Sequence, residues 1–85
     1  MRVADLGAAL VEAYTLGEVE VDGVTSGAVA LARALTAPLP IRAVVRGRTL
    51  RATDAHWAFG TGPELAGTAR ELVLFLYGRG PVPGS

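Results

Sequence analysis

Without a single cysteine, this 85-residue chain has only packing to hold it together. Disulfide staples, thiolate catalysis and thiolate-bound zinc are excluded, and a domain of this size buries only ~60–65% of the surface its unfolded chain exposes. The apolar material is present: 51% of residues are hydrophobic and 19% charged, a balance that fits one small folded domain and not a disordered tail. Acidic and basic residues number eight each, so the net charge is zero. That argues against a general polyanion binder, and no nucleic-acid partner is expected. His56 is the sole histidine, so no metal site is expected either. The longest uncharged run, residues 23–32, is about half of what spans a bilayer. Asp5 and Glu12 interrupt any signal-peptide core, so no membrane partner and a cytoplasmic location are expected.

Apolar residues at Val3, Leu6, Leu10, Ala13 and Tyr14 follow a helical period and predict a helix from Val3 to Leu16, with Gly17 after it. Glu18 to Gly23 alternates polar and apolar and predicts a short extended segment. A second helix follows, capped by Thr25 or Ser26, with Ala28, Leu31, Ala32 and Leu35 as its core stripe; Pro38 and Pro40 stop it. Ile41, Ala43 and Val45 alternate with Arg42, Val44 and Arg46, the pattern of a strand, and Arg46-Gly47-Arg48 supplies a turn. Thr49 to Thr53 returns with Leu50 and Ala52 inward, Ala55 to Phe59 forms a third strand, Gly60 to Pro63 a turn, and Glu64 to Ala66 a short fourth strand.

The strongest local signal is Thr68-Ala69-Arg70-Glu71, a capping box opening a helix that carries Leu72, Val73, Phe75 and Leu76 and ends at Gly78. Segregated rather than alternating elements predict an α+β fold: two N-terminal helices, a small antiparallel sheet of three to four strands, and a C-terminal helix packed on it. Residues 1–79 form the domain and 80–85 a flexible tail without core contacts. The expected core is Ile41, Val45, Leu50, Trp57, Phe59, Leu72, Phe75 and Leu76.

Four groups of residues invite a chemical reading. Arg33, Arg42, Arg46, Arg48 and Arg51 give residues 33–51 a net charge of +5, against −4 for residues 1–25. An Arg-lined hairpin would bind an anion or an acidic partner, or simply protect a strand from edge pairing. Gly60-Thr61-Gly62 lies close before a helix start, but it lacks the Lys and Ser/Thr of a phosphate loop and reads as a turn. Asp54 and His56 could pair as a carboxylate orienting an imidazole, although no nucleophile stands out beside them. Glu18, Glu20 and Asp22 could meet a hard cation or form a solvated edge.

The run from Leu50 to Arg79 resembles the C-terminal region of the mycothiol-dependent maleylpyruvate isomerase family. The resemblance rests on Ala52-Thr53-Asp54, Trp57, the Gly60-Thr61-Gly62-Pro63-Glu64 turn, the Gly67-Thr68-Ala69 helix start, the apolar helix and the closing Gly78-Arg79. It implies a sterol-carrier-like α+β fold. The family's metal, which activates the mycothiol thiol, is held by His and Glu of a separate helical-bundle domain, and this chain has no His before His56. Mycothiol is therefore implied as a cofactor only if such a domain is paired with this one. The resemblance also implies that Arg79 corresponds to a basic residue lent to the thiol site.

The expected function is an accessory or binding module, not an enzyme on its own. A homodimer or docking on a partner follows from the slender core, and the resemblance implies that the partner is a helical-bundle domain. The alternatives are a carrier of sterol-carrier-like fold holding a small apolar ligand or lipid, with Trp57, Phe59 and Arg79 as ligand-binding candidates, a dimeric protein-interaction module, and residual catalysis at Asp54, His56 and Arg79.

Overall fold

The computed structural model describes residues 3–17 and 20–83. In chain order it comprises α1 (Val3–Leu16), α2 (Gly23–Thr36), α3 (Leu39–Val45), β1 (Thr49–Ala52), β2 (Trp57–Gly60), β3 (Glu64–Gly67) and α4 (Ala69–Leu76). The α+β class stands, with three helices rather than two ahead of the sheet.

α4 is the centre of the molecule. Its capping box closes as the sequence indicates: the Glu71 amide donates to Thr68 Oγ1 at 3.1 Å, and the Thr68 amide donates to Glu71 Oε1 at 2.8 Å. At the other end Gly78 takes φ 71°, which lets the Arg79 amide reach the Leu74 carbonyl and the Gly78 amide the Phe75 carbonyl. That pair of bonds is a Schellman motif. Ala69 and every residue from Leu72 to Leu76 are buried. α4 packs on the sheet, α1 and α2 at once, so no face of it is left mainly to solvent.

The sheet has the order β2-β1-β3. β2 pairs antiparallel with β1, placing Phe59 against Leu50 and Trp57 against Ala52. β3 pairs parallel with β1 on its other side, with Leu65 against Leu50. The sheet is thus mixed, not the antiparallel meander expected. Thr49 has Gly60 on one flank and Glu64 on the other, so the three residues between them must cross the entry to β1. Gly60 and Gly62 make the crossing at φ 101° and 103°, where a Cβ would overlap the Arg48 and Gly47 carbonyl oxygens. The Thr49 amide and hydroxyl secure it on the carbonyls of Pro63 and Gly62.

Residues 39–45 form a helix where alternation predicted a strand. Pro38 is the N-cap and Pro40 lies in the first turn, where a missing amide costs nothing and the fixed φ already suits a helix. Ile41, Val44 and Val45 then share the inner side, while Arg42, Ala43 and Arg46 are exposed.

α2 also differs from its reading. Its N-cap is Asp22, whose carboxylate accepts from the Thr25 amide at 2.6 Å and the Thr25 hydroxyl at 3.0 Å. Its buried residues are Ser26, Val29 and Ala30, so the expected stripe of Ala28, Leu31 and Leu35 faces outward. Of the expected extended segment, Glu18 and Val19 lie outside the described residues and 20–22 form no strand. In the expected tail, Pro83 is buried and Val82 packs against the core. The core itself includes Leu10, Val11 and Tyr14 of α1 and Leu65 of β3, alongside Leu50, Leu72, Phe75 and Leu76. Ile41, Val45, Trp57 and Phe59 pack on its margin, half-buried.

Candidate functional site

Several of the polar side chains with functional promise are used to close helix ends. Asp54 lies in the four-residue turn between β1 and β2, and its Oδ1 accepts from the Ala69 amide at 2.8 Å. It therefore satisfies the first free amide of α4 and places a carboxylate at the positive end of the helix. Arg33 of α2 donates from Nε to the Leu76 carbonyl at 3.1 Å and lies 4.5 Å from the centre of the Tyr77 ring, closing the far end of α4. Arg70 donates from Nε to the Tyr14 carbonyl at 3.1 Å, in the last turn of α1. The sequence places Arg33 in the arginine-lined hairpin and singles out no role for Arg70, since their partners are backbone carbonyls 43 and 56 residues away.

His56 shares the turn with Asp54 but no cleft. It takes φ 56°, is exposed, and lines a shallow depression with Arg51 and Trp57. Arg79 lies with α1 residues Val11, Glu12 and Thr15 at a third place. The structure thus does not assemble Asp54, His56 and Arg79 into one constellation. Trp57 stacks on Phe59 with ring centres 5.6 Å apart and planes 13° apart. Its Nε1 donates to Ser26 Oγ at 2.9 Å, and its ring lies over Gly27, where a Cβ would press on it at 3.3 Å. The pair fastens β2 to α2. Ser26, read as a helix cap, is instead the fully buried acceptor of that bond.

A cleft of about 850 Å³, open to solvent, brings Tyr14, Asp54 and Arg70 together with Glu20 and Asp22. Burial pushes the Tyr14 phenol above its ordinary 10.0; the Asp54 carboxylate adds to the rise and the Arg70 guanidinium opposes it. Tyr14 is therefore protonated at neutral pH and offers no base. The Asp22 carboxyl is held below its ordinary 3.8 by the bonds from Thr25. Among the described residues no three His, Asp or Glu side chains converge as a metal site.

The expected arginine-lined hairpin is dismantled by the helix at 39–45. Arg42 lies on α3, Arg46 is its C-cap, Arg48 lies between that cap and β1, and Arg51 pairs with Glu64 across β1 and β3 at 3.6 Å.

What remains unexplained by folding is apolar. Val24, Leu31 and Leu35 on α2 are 86%, 46% and 70% exposed, and Leu39 at the start of α3 is 75% exposed. With exposed Ala28 they form a continuous stripe at spacing four, three, four along α2, the spacing of a helix-pairing seam. The stripe runs into a groove of about 500 Å³ between α2 and α3, lined by Leu35, Leu39, Arg42 and Arg46. The periodicity had marked most of this face; it had not shown that the protein's own core leaves it uncovered. Among the described residues no single helix is long and apolar enough to cross a membrane.

No family model matches the chain, and neither a curated protein nor a solved structure matches it.

Proposed function

We propose that this chain is a protein-binding module whose working surface is the α2–α3 face, and that it has no chemistry of its own. The observation that carries this reading is the exposed seam of Val24, Leu31, Leu35 and Leu39, an amount of surface leucine that solvation does not favour. The polar candidates support it from the other side, because Asp54, Arg33 and Arg70 are all engaged in holding helix ends. The layer where a carrier would hold an apolar ligand is filled by Leu50, Leu72, Val73 and Leu76, each 0% exposed, which favours docking over carriage.

The resemblance to the C-terminal domain of the mycothiol-dependent maleylpyruvate isomerase family fits an accessory role. The residues that carry it do folding work here: Asp54 on α4, Trp57 on Ser26, Gly60 and Gly62 at the crossing. The test is a photo-reactive amino acid placed at Leu35 or, on the outer face of the sheet, at Ala58, in the cell that makes the protein. A discrete cross-linked protein species from Leu35 and none from Ala58 is expected. No protein adduct at Leu35 would overturn the reading.

A further inference from the structure

We propose that the α2–α3 face pairs with a second copy of itself, α2 running antiparallel to α2 about a two-fold axis. This rests on the docking reading above and names the partner. The seam is self-complementary. Val24 and Leu35 lie symmetrically about the midpoint of residues 29 and 30, and so do Ala28 and Leu31. One register therefore sets Val24 against the partner's Leu35 and small Ala28 against the partner's Leu31, at both ends at once. An isologous interface requires this matching of each contact by its mirror contact, and large facing small lets the ridges interdigitate.

The charges agree with the same orientation. Glu20 and Asp22 stand exposed at the N-terminal end of α2, and Arg42 and Arg46 stand exposed in the groove at its C-terminal end. Among the described residues neither Arg42 nor Arg46 has an ion pair within the chain. Antiparallel pairing brings the acidic end of each copy over the basic groove of the other and opposes the two helix dipoles, whereas parallel pairing sets like charges together. In this arrangement Val24 enters the groove beside Leu35 and Leu39 of the other copy.

Sedimentation velocity over a concentration series should show a reversible monomer–dimer equilibrium. Val24→Asp and Leu35→Arg should each weaken it by roughly tenfold or more. An equimolar mixture of the two should restore it, since the mixed dimer has one Asp–Arg contact and one native Val–Leu contact. Disulfide trapping supplies a second readout that does not depend on the charged variants folding. With no native cysteine, a Val24→Cys, Leu35→Cys chain should oxidise to a covalent dimer; the two positions are about 16 Å apart along one helix and cannot bridge within a chain. A wild-type chain that is monomeric at every concentration, a mixture no better than either variant, or no covalent dimer would overturn self-pairing. If a monomer nevertheless gives a Leu35 photo-adduct with a different protein, the docking reading survives and self-pairing falls. A monomer that gives no protein adduct but sediments with phosphatidylcholine vesicles overturns both.

Discussion

α4 and α2 are both apolar helices with a clear period, yet they stand at opposite ends of the scale of burial. α4 is eight residues long and hides six of them, with neighbours on several sides and both ends closed by side chains from other elements. α2 is fourteen residues long and hides three, Ser26, Val29 and Ala30, while Val24, Leu31 and Leu35 face out. The difference teaches that a short chain spends its large residues where three layers meet. A second apolar stripe beyond that core is spare surface, which another molecule must cover or water must tolerate.

The contrast can be tested by substitution, beginning where the loss should be greatest. Leu72→Ala, at the fully buried heart of α4, should cost about 2–5 kcal/mol in urea denaturation. Gly62→Ala should cost roughly 1–3 kcal/mol, because its backbone conformation and the Gly47 carbonyl exclude a Cβ; a neutral result would show that the crossing at β1 is loose. Thr68→Ala should cost about 1 kcal/mol by opening the capping box of α4.

Asp22 caps α2 in the same manner but in full exposure, so its contribution is smaller and depends on pH. Its folded-state pKa lies below the unfolded 3.8, so the stabilisation is present above that pH and lost as pH falls through the folded value. Asp22→Asn should flatten the decline of the urea midpoint below pH 3.8 relative to the parent. Least of all, Leu35→Ser should change stability by no more than about 0.5 kcal/mol at concentrations where the chain is monomeric. A loss as large as that of Leu72→Ala would erase the distinction between the two helices.

Elements closed by their own neighbours in sequence were legible. The capping box at Thr68, the stop at Gly78 and the inward Leu50 and Ala52 all depend on residues within a few positions, and each is found as read. The misreading of residues 41–45 has a local cause as well. Over five residues, a period of two and a period of 3.6 fit the same apolar letters, and the prolines that settle the matter act on the first turn before the pattern begins. The parallel pairing of β3 was not legible, since a three-residue link reads as a hairpin unless the two glycines are recognised as a crossing.

The candidate site shows the same division. Asp54 was chosen for what its side chain can do, but a distant backbone group decides what it is available for. The Ala69 amide is fifteen residues from Asp54, and the sequence contains no mark of that meeting. The apolar period along α2 was visible from the letters alone; its direction was not.

Taken by itself, the order of residues determined that α1, α2 and α4 coil, where each of these three stops, and that every apolar stripe must find cover. Tertiary structure alone decided which stripe is covered, because a core of this size has room for one face of α2 and the docking of Trp57 on Ser26 and Gly27 turns the face of Ser26, Val29 and Ala30 inward. Local propensity is set by contacts within a turn or two, whereas the choice of face is a competition for a shared interior that no single segment can settle.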